Sequence, residues 1–227
     1  MMKNRLSKIF VGLLFGAGIG NSAFAGSVGF EMTTSPTNNG ATFTSSTGNR
    51  EYALSGGVVH QNRGGDGWYE VASPFDHTIN ATLEWGMQVI NSTALGVDLY
   101  LQGGGGGWNL YMQNDQIRYL DAGGSFSTLA LFNTTDAFHQ YKIVIPANSL
   151  NFGLFIDDVL AGSAVARSVG GAALFEFGDV TISGGDGIAD WDYVRLINSS
   201  TTNPVPEPAT LALLFAGFGL LNLRRKQ

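Results

Sequence analysis

The sequence predicts an all-β fold of two packed antiparallel sheets on three observations. Short segments through the middle of the chain alternate apolar and polar residues. A period of two buries one face of a strand and leaves the other in solvent. Clusters of Gly, Asn, Asp and Ser separate those segments, and these residue types supply the backbone conformations that turns need. No apolar stripe of helical period runs between the two chain ends. About a dozen short strands result, enough for two packed sheets. The 227 residues suffice for one domain and two targeting ends, and no internal repeat suggests a propeller or solenoid.

Taken in order, "MMKNRLSKIF" carries Lys3, Arg5 and Lys8 without an acid, and "IFVGLLFGAGIG" is apolar. "SAFAG" then offers small residues at Ala23 and Ala25. A basic start, an apolar middle and a small-x-small site form a secretory signal peptide, residues 1–25, with cleavage expected after Ala25. The chain has no cysteine; a domain of this size holds together without disulfides, so their absence is compatible with export.

The sandwich is expected over residues 26–197, with N-terminal strands in 28–74. In "HTINATLEWGMQVI" the buried face is Ile79, Ala81, Leu83, Trp85, Met87 and Val89. "GVDLYLQ" buries Val97, Leu99 and Leu101, and "WNLYMQN" buries Trp108, Leu110 and Met112. "FHQYKIVIP" places Phe138 inside and, after a bulge, Tyr141, Ile143 and Ile145. "NFGLFIDD" buries Phe152, Leu154 and Ile156, and "ALFEFGDVTI" and "DWDYVRLI" complete the series. The glycine run of "QGGGGGWNLYMQ" reads as a mobile hairpin loop, and Asp157 and Asp158 as turn residues. Residues 198–205 form a polar linker.

Charge narrows the function. Residues 26–203 carry six basic against seventeen acidic residues, a formal balance of −11. So acidic a body argues against nucleic acid and anionic lipid as partners. His60, His77 and His139 are far apart, and no cysteine completes a zinc site. There is no Gly-x-Ser-x-Gly elbow, and no Lys-Ser/Thr follows the glycine run to make a phosphate cradle.

Two ligand sites are candidates. "NRGGDGWYEV" sets Trp68 and Tyr69 beside Asn62, Arg63 and Asp66, and "GGWNLYMQND" sets Trp108 and Tyr111 around Asn109. Aromatic faces ringed by amides and acids bind sugars; core filling is the alternative for each, and one aromatic of each pair faces out if the other faces in. "GGDGIADWD" sets Asp186, Asp190 and Asp192 near a glycine turn. Three acids with carbonyls and water can hold calcium; acids on a solvated surface are the alternative.

The C-terminus is distinct. Pro206, Glu207 and Pro208 precede an apolar span, Ala209 to Leu223, and Arg224, Arg225 and Lys226 follow it. As a helix the span reaches about 22 Å, short of a hydrocarbon core of about 30 Å unless flanking residues snorkel. The terminal cations would stay on the cytoplasmic side. These parts, in this order, resemble the PEP-CTERM sorting signal of Gram-negative bacteria. The resemblance assigns 206–227 to a sorting and membrane segment. It implies an exosortase as partner, transient anchoring in the inner membrane, and delivery to the cell surface or an exopolysaccharide matrix.

"FHQYKIVIPANSLNFGLFIDDVLAG" and "ALFEFGDVTISGGDGIADWDYVRL" together resemble concanavalin A-like lectin and glucanase domains, the laminin-G type included, and the resemblance implies an antiparallel jelly-roll β-sandwich. The glucanase members carry Glu-x-Asp-x-Glu on one strand, which lines up carboxylates about 6–7 Å apart. This chain has no such series; Glu84 is alone and Asp190 and Asp192 lack a third acid. The expectation is an exported, non-catalytic sandwich with carbohydrate-binding potential. The alternatives are a glycoside-acting enzyme of the glucanase type, or a structural matrix protein without a ligand.

Overall fold

The computed structural model describes residues 27–45, 51–61, 67–73, 75–180 and 187–199. The predicted signal peptide and sorting segment lie outside them, as does most of the linker. Among the described residues no helix is long and apolar enough to cross a membrane.

Sixteen strands follow one another. They are β1 (Ser27–Glu31), β2 (Thr42–Thr44), β3 (Ala53–Ser55), β4 (Val58–Gln61), β5 (Gly67–Ala72), β6 (Asn80–Ser92), β7 (Asp98–Gly103) and β8 (Gly106–Met112). Then come β9 (Gln116–Leu120), β10 (Phe126–Leu131), β11 (His139–Ile145), β12 (Asn151–Ile156), β13 (Val159–Val165), β14 (Arg167–Ser168), β15 (Leu174–Asp179) and β16 (Gly187–Ser199). The only helical turn among the described residues is a 3-10 turn at Pro36–Asn39, capped by the Ser35 hydroxyl.

The strands form two antiparallel sheets of eight. Sheet one runs β13-β12-β11-β6-β16-β4-β3 with β1 also beside β16, and sheet two runs β10-β9-β8-β7-β15-β5-β2 with β14 beside β8. Strands far apart in sequence are neighbours, as in β6 with β16 and β7 with β15. This is the predicted jelly-roll sandwich. The alternation accounts for its core: the predicted inward residues of β6, β7, β8, β11 and β12 form one buried cluster between the sheets. Phe177 of sheet two is its hub. It stacks on Tyr69 and meets Phe30 and Trp191 of sheet one, with ring centroids 5.1, 5.9 and 5.4 Å away.

Three predicted details change. Phe138 lies before β11 and is exposed, so no bulge is needed; β11 simply starts at His139. The predicted linker begins two residues late, because Asn198 and Ser199 still pair with Ala81 and Asn80. The glycine run is largely strand: only Gly104 and Gly105 turn, with φ of 59° and 84°, a two-residue hairpin that favours glycine at both sites. Asp157 and Asp158 make the same kind of turn, with φ of 48° and 64°. Their side chains anchor it: Asp157 accepts from the Gln140 N–H at 2.9 Å and pairs with His139 at 2.7 Å, and Asp158 accepts from Lys142 at 2.8 Å.

Candidate functional site on the outer face of sheet two

Strands β5, β7, β8 and β15 form the middle of sheet two. Their inward residues are apolar, and the residues between them face out in two registered rows. One row runs Asn109, Tyr100, Glu176, Glu70, Thr42 across β8, β7, β15, β5 and β2. The next runs Arg118, Tyr111, Asp98, Gly178, Trp68, Thr44 across β9, β8, β7, β15, β5 and β2. Directly opposed side chains in such rows have Cβ atoms about 4.5–5.5 Å apart. Glu70 and Glu176 therefore face each other, and Asp98 is one strand and one row away.

These acids are poorly compensated. Glu176 is only 7% exposed yet makes no hydrogen bond or ion pair. Burial, followed by the Glu70 charge, pushes its pKa up to about 7. The Trp68 indole is near enough to favour the ionised form, but its buried Nε1 reaches no partner at hydrogen-bonding geometry. Asp98 is 4% exposed; burial raises its pKa well above the usual range, the Asp179 and Glu176 charges add to that, and the Val180 N–H, at 3.0 Å, opposes it.

Aromatic and amide groups interleave with the acids. Tyr111 packs edge-on against Phe126 with centroids 5.1 Å apart, and burial pushes its hydroxyl up to about 12. Tyr100 donates to Gln102 Oε1, whose Nε2 donates to Ala172 O at 3.1 Å. Arg167 adjoins Tyr100 and holds its pKa down against burial. Two more buried atoms are unpartnered, Asn109 Oδ1 and Arg167 Nε. One end of the face is bounded by the chain after β14: Val169 fills the space that a side chain on Gly107 would take.

The structure divides the predicted sugar-binding aromatics. Trp68 and Tyr111 are on the outer face of sheet two, whereas Tyr69 and Trp108 are buried in the core and give their rings to it. The tryptophans and tyrosines that caught the eye in sequence are thus half of the picture. Glu70, Asp98, Tyr100, Arg167 and Glu176 were not singled out, although the same alternation that named the core positions fixes their outward direction.

The predicted calcium residues are on the other sheet. Asp186 lies outside the described residues. Asp190 faces out from β16 and pairs with His60 Nδ1 at 2.7 Å. Asp192 is the extra residue of a bulge between Trp191 and Tyr193 and is exposed. Among the described residues no three acids or histidines gather in a way that could hold a metal ion. Glu84 faces out from β6, between Lys142 and Arg195.

Comparison with known proteins adds two findings. Residues 204–226 match the PEP-CTERM protein-sorting motif. No curated protein matches the chain. Among solved structures, a Bacillus licheniformis beta-glucanase superposes with a TM-score of 0.51 at 10% identity, covering 78% of this chain and 100% of that one. A native glycosidic hydrolase superposes with a TM-score of 0.51 at 12% identity, covering 79% of this chain and 98% of that one. A sialidase aligns at 11% identity and a TM-score of 0.46, over 66% of this chain and only 16% of its own. At these identities the likeness concerns the fold. The chain is a concanavalin A-like jelly-roll sandwich with a C-terminal sorting signal, which indicates export across the membrane to a cell-surface or extracellular destination.

Proposed function

We propose that this is an exosortase-processed surface or matrix protein whose sandwich binds a glycan, without cleaving it, on the outer face of sheet two. The signal peptide (residues 1–25) starts export. The tail (206–227) then holds the chain in the inner membrane until an exosortase processes it near Pro206-Glu207-Pro208. The observation that carries the glycan reading is the pair of rows itself. Trp68, Tyr100 and Tyr111 alternate there with Glu70, Asp98, Asn109 and Glu176, and buried polar atoms of Trp68 and Asn109 have no partner. Sugars present apolar ring faces and a rim of hydroxyls, which such an arrangement meets group for group.

The test is retention of the purified full-length protein on exopolysaccharide and on a glycan panel, with calcium and with chelator. Binding that Trp68→Ala weakens in both buffers supports the reading. Binding that needs calcium would bring Asp186, Asp190 and Asp192 back as the metal site. No retention leaves a structural matrix protein.

A second reading, glycoside cleavage, draws on one observation. Glu70 and Glu176 are opposed on adjacent strands, and Glu176 holds its proton to about pH 7. Two facing carboxyls, one of them protonated, are the pair of groups that glycoside hydrolysis uses. Reducing-end release that Glu176→Gln abolishes would establish it.

A further inference from the structure

Among the described residues, no base pairs with the facing acids of sheet two. Glu70, Asp98 and Glu176 come from three adjacent strands. Glu176 is 93% buried by its 7% exposure and has no partner of its own. The one lysine among the described residues, Lys142, serves the opposite sheet. Arg167 is engaged beside Tyr100, and Arg118 donates to Phe126 O at 2.9 Å while lying over the Phe126 ring. On the other sheet two acids have a base: Glu31 meets Arg195 at 2.5 Å, and Asp158 meets Lys142 at 2.8 Å.

What kind of cation fits is decided by layout. A metal ion needs oxygens converging on one point, and among the described residues no such group forms. The carboxyls are instead spread along the rows, with Trp68 on one flank and Tyr111 on the other. Separated anions between aromatic faces suit ammonium groups carried at intervals on apolar rings.

Resting on the glycan reading above, we propose that this face takes a polysaccharide with free primary amines, a deacetylated amino-sugar polymer, with Glu70 and Glu176 holding its ammonium groups and Trp68 and Tyr111 lying against its ring faces. A uronic-acid or sulfated polymer is excluded by the same acids.

The experiment measures binding of the full-length protein in detergent to glucosamine oligomers, their N-acetylated counterparts of equal length, a neutral glucan oligomer and a uronic-acid oligomer. The amine form should bind roughly tenfold to a hundredfold more tightly than the acetylated form. Glu70→Gln and Glu176→Gln should each remove most of that preference, and Glu84→Gln, on the other sheet, should leave it intact. Glu70 is exposed, so its variant serves if Glu176→Gln does not fold. Equal binding of the amine and acetylated forms overturns this inference and leaves the glycan reading standing. A preference that survives both glutamine variants also overturns it, because a polycation is then merely adsorbing to an acidic protein. No binding of any oligomer overturns both.

Discussion

In the centre of sheet one, Glu84 stands in register between Lys142 and Arg195. In the centre of sheet two, Glu176 stands in register between Glu70 and Tyr100. The backbone setting is the same, a glutamate facing out from an interior strand of an antiparallel sheet. Around Glu84 both bases carry an acid, Arg195 with Glu31 and Lys142 with Asp158, and Asp190 bonds to His60. Arg195 and Lys142 also lie over the Tyr193 and Phe155 rings. Around Glu176, the facing Glu70 is exposed, Asp98 is buried with the Val180 N–H as its hydrogen-bond donor, and no ion pair forms among the described residues. A face that only keeps an exported domain in solution has no reason to oppose two carboxylates, since like charges directly across a ladder destabilise it. The difference is the ground on which we propose a site on sheet two and none on sheet one.

Four substitutions probe that difference. The largest effect is expected from the core beneath the site: Trp108→Ala should lower unfolding free energy by about 3–5 kcal/mol in urea. The loss comes from packing, and glycan retention at low temperature should survive it. Next is pH. Burial pushes the Glu176 pKa up from its ordinary 4.5 to about 7 in the folded chain, so between those values the folded state holds the extra proton. Its stability contribution is complete below pH 4.5 and is lost as pH rises through 7. Between pH 5 and pH 8 the unfolding free energy from urea titration should fall by about 2 kcal/mol less in Glu176→Gln than in the parent, after allowance for partial solvent screening; an unchanged difference would remove Glu176 from the frustrated cluster. Trp68→Ala should weaken glycan binding roughly tenfold, about 1.4 kcal/mol, with a smaller change in melting temperature. Smallest is Lys142→Ala, which breaks an exposed pair and should change stability by less than about 1 kcal/mol and binding not at all.

The fold was legible because its signal is periodic and repeated. Leu83, Trp85 and Met87, or Leu99 and Leu101, declare a buried face without any knowledge of the partner strand. The site was only half legible, for a physical reason. Its members are neighbours across strands, and Glu70 and Glu176 are brought opposite each other by a pairing that no local pattern encodes. Trp68 and Trp108 look equivalent in sequence, each near a glycine and a polar residue, yet one faces out and the other in. Asp190 and Asp192 were misleading in the other direction. Their spacing of two suggests a shared purpose, but one is held by His60 and the other is a bulge residue.

The hairpin between β7 and β8 has a consequence for heredity. Five successive glycines span it, and five near-identical codons are a natural place for replication to gain or lose one. Gly104 tolerates no side chain, since a Cβ there would lie 2.1 Å from the His77 ring, but length is the more severe constraint. Lengthening or shortening the run by one residue while the two-residue turn is kept slips β8 by one position against β7 and turns it over. Trp108, Leu110 and Met112 would then face solvent, and Asn109 and Tyr111 the core. A change of two residues preserves both faces. Variation in this lineage should therefore conserve the parity of the run more strictly than its length.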